Sequence, residues 1–338
     1  MKHVLFCVDD IYTGNELFNR RSPLNRDDRL ELSCRLQEEL ACDGYQLDTL
    51  DQGDIHTADV IVFVELYLLK PIFGRYLWSC YGKPVANHRL TELFRALPRT
   101  AKRVLLLQEP PSVCPHNFQR PFHRYFDTIL TWNDDFIDNR KYFKFNFAQP
   151  DWHIETPVPF ADRAFCALIA SDKTSTHPHE LYSARVQVIE FFQRAHPDLF
   201  DLYGSGWERY PVFRGRAADK LQTLSRYKFN ICYENNHHLR GYVSEKIFDS
   251  LRAFCVPVYW GADNIAEYVH PEAFIDRRNF KSTDALFDYL SQMNAAEYQQ
   301  YLAAIARYLS SPTYQQFSME CALEVLKHAI KDPWVSQR

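Results

Sequence analysis

A segment in the second half of the chain combines a helix start with charged side chains that could hold an anion. Residues 227–261 have the pattern of a strand, a polar loop, a helix and a second strand, which is a right-handed crossover unit. The helix of such a unit begins at the carboxyl end of the first strand, where open α/β sheets bind ligands. Ser244 is a typical N-cap, and Glu245 and Lys246 fall in the first turn. A lysine opposes the helix dipole there unless an anion is bound, so the pattern indicates an anion site, with a solvated Lys246 as the alternative.

The second feature that could take part in catalysis is a carboxylate that follows a buried strand. Glu109 comes shortly after the apolar run Arg103–Leu107 and is followed by two prolines. Such a side chain projects from the edge of a sheet, where a carboxylate can take a proton from a hydroxyl group. Glu65 also closes an apolar strand and is the rival candidate for a base. A loop-capping role for Glu109 is the structural alternative.

The composition limits what these residues can bind. The chain has 338 residues, of which 46% are hydrophobic and 24% are charged, as expected for a folded protein of about two domains. It has only 10 glycines, and they form neither of the glycine-rich loops that hold dinucleotides or nucleotide phosphates. A phosphorylated ligand would therefore be held by side chains and helix ends. The net charge of −4 gives no electrostatic basis for binding nucleic acid.

The cysteines and the apolar runs indicate in which cellular compartment the protein works. The chain has nine cysteines, no C-x-x-C pair, and four cysteines inside apolar runs, namely Cys7, Cys166, Cys232 and Cys255. This usage favours a reducing, cytoplasmic compartment. No apolar run approaches the roughly 18 residues that cross a membrane, so we expect no stable membrane anchor and at most peripheral contact with the inner membrane.

Apolar runs separated by amphipathic stretches predict two parallel-sheet domains. In the first half, four runs have the character of buried strands: Val4–Val8, Asp59–Val64, Arg103–Leu107 and Thr128–Trp132. A proline-marked stretch at 149–159 follows, and strands and helices then alternate again. We predict an α/β fold with an N-terminal domain at 1–150, a second domain at 160–290 and C-terminal helices at 291–338.

Three linked blocks resemble the donor-binding signature of the α-1,3/4-fucosyltransferases. They are YKFNICYEN at 227–235, YVSEK at 242–246 and VPVYWG at 256–261. The family shows Y-[KR]-F-x-[LI]-x-F-E-N, Y-[VI]-[ST]-E-K and [VI]-P-[VI]-x-x-G in this order and spacing. The resemblance is specific within these blocks and weaker in the first domain.

The resemblance implies an inverting glycosyltransferase of GT-B architecture, in which two Rossmann-like domains face a cleft. It implies transfer of fucose from GDP-β-L-fucose without a metal or other cofactor, with the donor bound by the C-terminal domain and the acceptor by the N-terminal domain. By position, Glu245 would hydrogen-bond the ribose hydroxyls and Lys246 would contact the diphosphate. Asn235 and Tyr242 would line the same pocket. These residue types fit, because a carboxylate accepts from vicinal hydroxyls and an ammonium group neutralises phosphate charge.

The start of the second domain carries a further likeness to the family. Residues 168–172 and the following Ser183-Ala184-Arg185 resemble its strand, turn and arginine-bearing helix start. This implies Ser171 as a donor-site residue and Arg185 as a second diphosphate ligand, with an ordinary exposed helix arginine as the alternative. Asp172 stands where the family usually has asparagine, and a carboxylate there would repel a diphosphate.

The first domain carries the base in this family. Residues 108–112, QEPPS, resemble the family's E-x-P-S segment, which implies Glu109 as the group that takes the proton from the acceptor hydroxyl. The choice between Glu109 and Glu65 stays open on the sequence.

No metal site is predicted. The D-x-D pair of metal-dependent glycosyltransferases does not occur in the chain. His177, His179, His237 and His238 lack the helical i, i+4 spacing of metal ligands and are interpreted as surface loop residues.

These features favour an enzyme that transfers L-fucose from GDP-fucose to a hydroxyl of a glycan acceptor. The expected product is an α-1,3 (or α-1,4) link, with O3 of N-acetylglucosamine or glucose as the expected acceptor atom and a bacterial surface polysaccharide as the expected acceptor. One alternative is a GT-B transferase that uses a different sugar nucleotide. An alternative of another class is a non-catalytic, two-lobed sugar-binding protein.

Overall fold

The chain forms two compact units. The computed structural model describes residues 1–66, 97–98 and 100–331. One unit comprises Met1–Asn146 with Glu320–Arg338, and the other comprises Phe147–Met319. The predicted terminal piece 291–338 is divided between the two units: its residues up to Met319 belong to the second unit, and the segment from Glu320 belongs to the first.

Within the described residues, the first unit is built on a sheet of six parallel strands. Both faces of a parallel sheet are covered, so its inner strands are near-continuous apolar runs such as VIVFV. The strands are β1 (Lys2–Cys7), β2 (Tyr45–Thr49), β3 (Val60–Val64), β4 (Lys102–Leu107), β5 (Thr128–Thr131) and β6 (Tyr142–Lys144), and the helices among them are α1 (Glu31–Cys42) and α2 (Arg120–His123). Across the sheet the strands are ordered β2-β1-β3-β4-β5-β6.

The strand order creates a topological switch between β1 and β3. From β1 the chain passes to β2 on one side and then to β3 on the other. Ligands of open α/β sheets bind at the carboxyl ends of the strands at such a switch. Glu65 directly follows β3, while Gln108 and Glu109 directly follow the neighbouring β4. The two candidate carboxylates therefore lie at the same edge of the first sheet.

The second unit contains a sheet of five parallel strands among the residues described. Its elements are β7 (Ala164–Ser171), α3 (Tyr182–Ala195), β8 (Phe200–Ser205), α4 (Lys220–Leu224), β9 (Tyr227–Tyr233), α5 (Glu245–Arg252), β10 (Val256–Trp260), β11 (Ile275–Asp276), α6 (Thr283–Gln292), α7 (Ala295–Leu309) and α8 (Pro312–Gln315), after which α9 (Met319–Lys331) ends the described chain. The prediction of two parallel-sheet domains with a helical C-terminal end is confirmed. No helix among these described elements is both long and apolar enough to pass through a lipid bilayer.

The switch point of the second sheet lies between β7 and β9. The strand order is β11-β10-β9-β7-β8, so the chain leaves β7 toward β8 and then returns to the other side of β7. Ala167 of β7 pairs with Asn230 of β9. Ser171 and Glu234 each lie four residues further along, so both fall at the carboxyl edge of this switch point.

The helix predicted after the polar loop forms as the sequence indicates. Ser244 has an extended backbone and its side chain caps α5 by accepting the N–H of Lys246. Ile247 and Leu251 are fully buried on the inner face of α5. The helix ends at Arg252, and Phe254 then adopts a left-handed backbone with φ of 51°.

Helix α9 packs against α1 within the first unit. Lys327 lies 2.9 Å from Glu39 of α1, and Arg35 of α1 lies 2.9 Å from Glu320. Leu323 and Ile330 are buried beside these ion pairs. The first unit is therefore completed by a segment that follows the second unit in sequence.

Gly204 fits a narrow space between two strands of the second sheet. Its φ is 137°, and a Cβ atom there would lie 1.7 Å from the carbonyl oxygen of Ala170, its partner on β7. Gly215 also has a positive φ, 85°, but a Cβ atom at that position would meet no atom within 4 Å. An alanine at Gly215 would thus test backbone strain alone, whereas an alanine at Gly204 would add steric overlap.

We expect Gly204→Ala to destabilise the second unit more than Gly215→Ala. The control carries only the strain of a left-handed alanine, about 1–2 kcal/mol. Gly204→Ala adds an overlap that costs roughly a further 1–3 kcal/mol of unfolding free energy. Urea denaturation of the two variants measures the difference, and equal stabilities would contradict the role given to Gly204.

Candidate active site

A buried carboxylate organises the start of α5. Glu234 directly follows β9 and is fully buried. Its Oε1 accepts the backbone N–H of Ser244 at 2.8 Å, and its Oε2 accepts the Ser244 hydroxyl at 2.6 Å. These bonds fasten the N-cap of α5 to the end of β9.

Lys246 is drawn into this arrangement rather than extending into solvent. Its Nζ lies 3.3 Å from Glu234 Oε2, 3.0 Å from the Ser244 hydroxyl and 3.7 Å from Glu245 Oε1, and the side chain is 22% exposed. Burial alone would lower the pKa of Lys246, but the carboxylates of Glu245 and Glu234 outweigh it and raise the pKa above its usual value. The first turn of α5 therefore presents a charged ammonium group at the switch point.

Arg185 is buried on α3 and reaches the end of β9. Its Nη2 donates to the carbonyl oxygens of Tyr233 and Glu234, both at 2.7 Å, and to Asn235 Oδ1 at 3.0 Å. Only 4% of the residue is exposed, so the interpretation as an exposed helix arginine is wrong. Within the described ranges, these hydrogen bonds engage Nη2 alone, so Nε and Nη1 can each donate to another partner.

Asn235 and Tyr242 extend this network. Asn235 accepts from Arg185 and donates to the Tyr242 hydroxyl at 3.5 Å. Tyr242 is 2% exposed and packs edge-on against Phe147, with ring centroids 6.1 Å apart. The structure thus brings together a set of predicted donor-site residues, namely Arg185, Asn235, Tyr242, Glu245 and Lys246.

Ser171 lies at the same edge of the sheet without a bond to that network. As the last residue of β7, it accepts a hydrogen bond from the Ser205 hydroxyl at 3.0 Å. The neighbouring Asp172 forms an ion pair with Arg209. Arg209 offsets the charge of Asp172, which reduces the repulsion that a carboxylate at this turn would exert on an anion.

The side chains of four histidines lie together in the second unit. His179 packs edge-on against His177, His237 and His238, with ring centroids 5.2–5.7 Å apart. Burial, followed by the charges of His238 and His179, lowers the pKa of His237. His238 is exposed and lies 3.0 Å from Asp263. In the described part of the chain, no group of three or more His, Cys, Asp or Glu side chains is arranged to hold a metal ion.

The first unit holds a second buried carboxylate, Glu65, beside Glu109. Glu65 is 3% exposed, and its Oε1 accepts the backbone N–H groups of Gln108 at 2.6 Å and Glu109 at 2.9 Å. Its Oε2 accepts from the side-chain amide of Asn117. Burial, together with the nearby charge of Glu109, raises the pKa of Glu65 to about 8, although these hydrogen bonds oppose the rise. Glu109 itself is partly exposed.

Most of the second unit matches a known protein family. Residues 163–328 match glycosyltransferase family 10 (fucosyltransferase) C-term. These residues belong to that family. The family 10 domain therefore contains the whole network around Glu234, from Arg185 to Lys246.

Curated relatives of the family 10 domain are fucosyltransferases. An α-(1,3)-fucosyltransferase FucT of Helicobacter pylori is 38% identical over 78 residues, 23% of this chain and 16% of that protein. The 3-galactosyl-N-acetylglucosaminide 4-α-L-fucosyltransferase FUT3 of Homo sapiens is 29% identical over 205 residues, 60% of this chain and 50% of that protein. The chain thus spans about half the length of these relatives or less.

Solved structures establish the architecture. An α1,3-fucosyltransferase has a TM-score of 0.55 at 16% identity, covering 98% of this chain and 90% of that one. An α-glucosyltransferase in complex with UDP has a TM-score of 0.57 at 9% identity, covering 98% of this chain and all of that one. At such identities the likeness concerns the fold, which is GT-B as the resemblance implied.

Two residues of the site, Glu234 and Asn117, were not identified from the sequence patterns. Glu234 belongs to the YKFNICYEN block at 227–235, and its position directly after a buried strand is the signal that could have identified it. Asn117 is fully buried and contacts Glu65 from a short 3-10 helix, 52 residues away in sequence. No local pattern marks Asn117, because its role depends on a contact that only the folded chain creates.

We expect Glu234→Gln to lower the free energy of unfolding by about 2–4 kcal/mol. The amide cannot accept from the Ser244 hydroxyl and from the ammonium of Lys246 as the buried carboxylate does. Glu245→Gln is the matched control, because its side chain is 46% exposed and its loss should change stability by less than about 0.5 kcal/mol. Urea denaturation compares the two, and equal stabilities would contradict this role for Glu234.

Glu65 should make stability fall as the pH rises. Its pKa of about 8 in the folded protein exceeds the value of about 4.3 for an unfolded glutamate, so between these values the folded state keeps a proton that the unfolded state releases. Glu65→Gln removes this contribution. The measurement is the difference in unfolding free energy between wild type and variant from about pH 5 to pH 9, which should shrink with rising pH. A constant difference would contradict the prediction.

Proposed function

We propose that the protein is an inverting glycosyltransferase that moves L-fucose from GDP-fucose to a hydroxyl of a glycan acceptor. One observation carries the proposal: Lys246 and Arg185 converge on the switch point of a family 10 domain. An α1,3-fucosyltransferase of the same fold is solved with GDP-fucose, with a TM-score of 0.52 at 16% identity. The names of the curated relatives support an α-1,3 or α-1,4 link.

The geometry of the second unit suits a nucleoside diphosphate. Lys246 offers a point charge, Nε and Nη1 of Arg185 offer further charged N–H donors, and the N-terminus of α5 offers a positive dipole end. Each favours the negative charge that develops on departing GDP. Glu245, half exposed at the first turn of α5, suits hydrogen bonds from ribose hydroxyls.

Glu109 suits the role of base. Transfer with inversion is a single displacement: the acceptor oxygen forms a bond to the anomeric carbon, the bond to the diphosphate breaks, and the hydroxyl proton passes to the base. Glu109 is partly exposed at the carboxyl edge of the first sheet. Both oxygens of its rival Glu65 are buried and occupied by N–H donors, which favours Glu109 over Glu65.

The proposal includes transfer without a metal. The two cations and the start of α5 supply positive charge where a metal-dependent transferase uses a divalent ion. It also includes a polysaccharide acceptor that carries N-acetylglucosamine or glucose. The eight cysteines in the described ranges are free thiols, which supports a cytoplasmic location.

The test is release of GDP from GDP-fucose with a panel of glycans. Wild type should form a fucosylated product, identified by mass spectrometry, at a rate that EDTA does not change. Glu109→Gln should lower the rate by about 10²–10⁴-fold with GDP affinity unchanged. Lys246→Ala should weaken GDP binding and turnover together.

The outcomes separate the alternatives. Release of nucleotide from GDP-mannose or UDP-glucose, but not GDP-fucose, would support a different donor. No release from any donor, with or without glycans, would contradict the enzyme and favour a binding protein. A Glu109→Gln variant with wild-type turnover would assign the base elsewhere.

A further inference from the structure

The main chain around Glu109 is held by side chains rather than by a neighbouring strand. The N–H groups of Gln108 and Glu109 both donate to Glu65 Oε1. The carbonyl oxygen of Glu109 accepts from Asn117 Nδ2 at 3.2 Å, and that of Gln108 accepts from Trp132 Nε1 at 2.8 Å. Both peptide groups that flank the Glu109 Cα are therefore fixed.

Asn117 locks the orientation of this arrangement. Its Oδ1 accepts the backbone N–H of Leu66 at 3.0 Å, while its Nδ2 donates to Glu65 Oε2 and to the carbonyl of Glu109. If the amide were rotated by 180°, Nδ2 would face the N–H of Leu66 and Oδ1 would face the oxygens of Glu65 and Glu109. Two donors, or two acceptors, would then lie together. Asn117 thus joins the ends of β3 and β4.

The backbone of Glu65 indicates that its position is specifically maintained. Its φ is 65°, a left-handed conformation that is uncommon for residues other than glycine. Such strain persists where the surrounding contacts impose it, and it concentrates at functional sites. Here the strained backbone aims the carboxyl group back at the segment that carries Glu109.

We propose that Glu65 is a positioning residue, whose carboxyl group holds the Gln108–Glu109 main chain so that the Glu109 side chain keeps one orientation for proton transfer. This inference rests on the proposed function, in which Glu109 is the base. A displacement of about 1 Å at a reacting group can cost on the order of 10²-fold in rate. The two prolines that follow Glu109 restrict the segment from the other side.

Two substitutions at Glu65 separate positioning from base catalysis. Glu65→Gln keeps a carbonyl oxygen for the two backbone N–H groups but turns an NH2 group toward the Asn117 amide. It should therefore lower kcat by less than about tenfold, whereas loss of a base would lower kcat by about 10²–10⁴-fold. Glu65→Leu has similar size and no acceptor, and should lower kcat by about 10–100-fold. The KM for GDP-fucose should not change in either variant, because the donor-site residues belong to the other unit.

Amide hydrogen exchange tests the clamp without any substrate. In Glu65→Leu, exchange at Gln108 and Glu109 should accelerate at least about tenfold while β4 stays protected, and in Glu65→Gln it should stay near wild type. If Glu65→Leu does not fold, Asn117→Asp replaces it as a variant of the same shape. It removes the amide donor to Glu65 and Glu109, and should lower kcat at unchanged KM.

Three results would overturn the proposal. The first is a Glu65→Gln variant as inactive as Glu109→Gln, which would make Glu65 the base. The second is a folded Glu65→Leu variant with wild-type kcat and exchange, and the third is a folded Asn117→Asp variant with wild-type kcat. If the wild type itself does not use GDP-fucose, the proposed function fails, while the exchange rates still decide whether Glu65 holds this segment.

Discussion

Each unit of this protein keeps a glutamate out of water at the carboxyl end of an inner strand. An acid in that position must be hydrogen-bonded, because an unpaired polar group in the interior costs several kcal/mol. Glu65 meets this requirement with N–H groups from the next strand and an asparagine side chain, and Glu234 meets it with the cap and first turn of a helix. The segments that carry the candidate chemistry therefore take their positions from these two side chains.

The two glutamates differ in electrostatic surroundings. Glu234 lies beside the ammonium of Lys246, with Arg185 on the carbonyl oxygens next to it, so positive charge gathers at the switch point of the second sheet. Glu65 has only uncharged donors and lies near a second carboxylate, so its ionisation is disfavoured. Positive charge thus lies at one edge, and a carboxyl group that favours its protonated form lies at the other.

Sequence patterns predicted those strands and helix starts that depend on residues close together in the chain. Continuous apolar runs predicted β1, β3, β4 and β5, and the Ser244 cap predicted where α5 begins. The edge strands β2 and β6 were not predicted: β2, YQLDT, alternates in character, and β6 has three residues.

Side-chain contacts between segments far apart in the chain could not be predicted from such short patterns. Arg185 was expected as a ligand, but its bonds to the carbonyls of Tyr233 and Glu234 span nearly 50 residues. Likewise, Arg209 pairs with Asp172 from 37 residues away, which no spacing rule indicates.

The packing of α9 on α1 has a consequence for biosynthesis. Met1–Asn146 of the first unit leave the ribosome before the second unit, yet Lys327 and Leu323, which complete the first unit, leave after it. The second unit lies wholly between them and can reach its native packing first. The sheet of the first unit must therefore wait, with the apolar side of α1 uncovered, until the whole second unit and the segment after it have been translated.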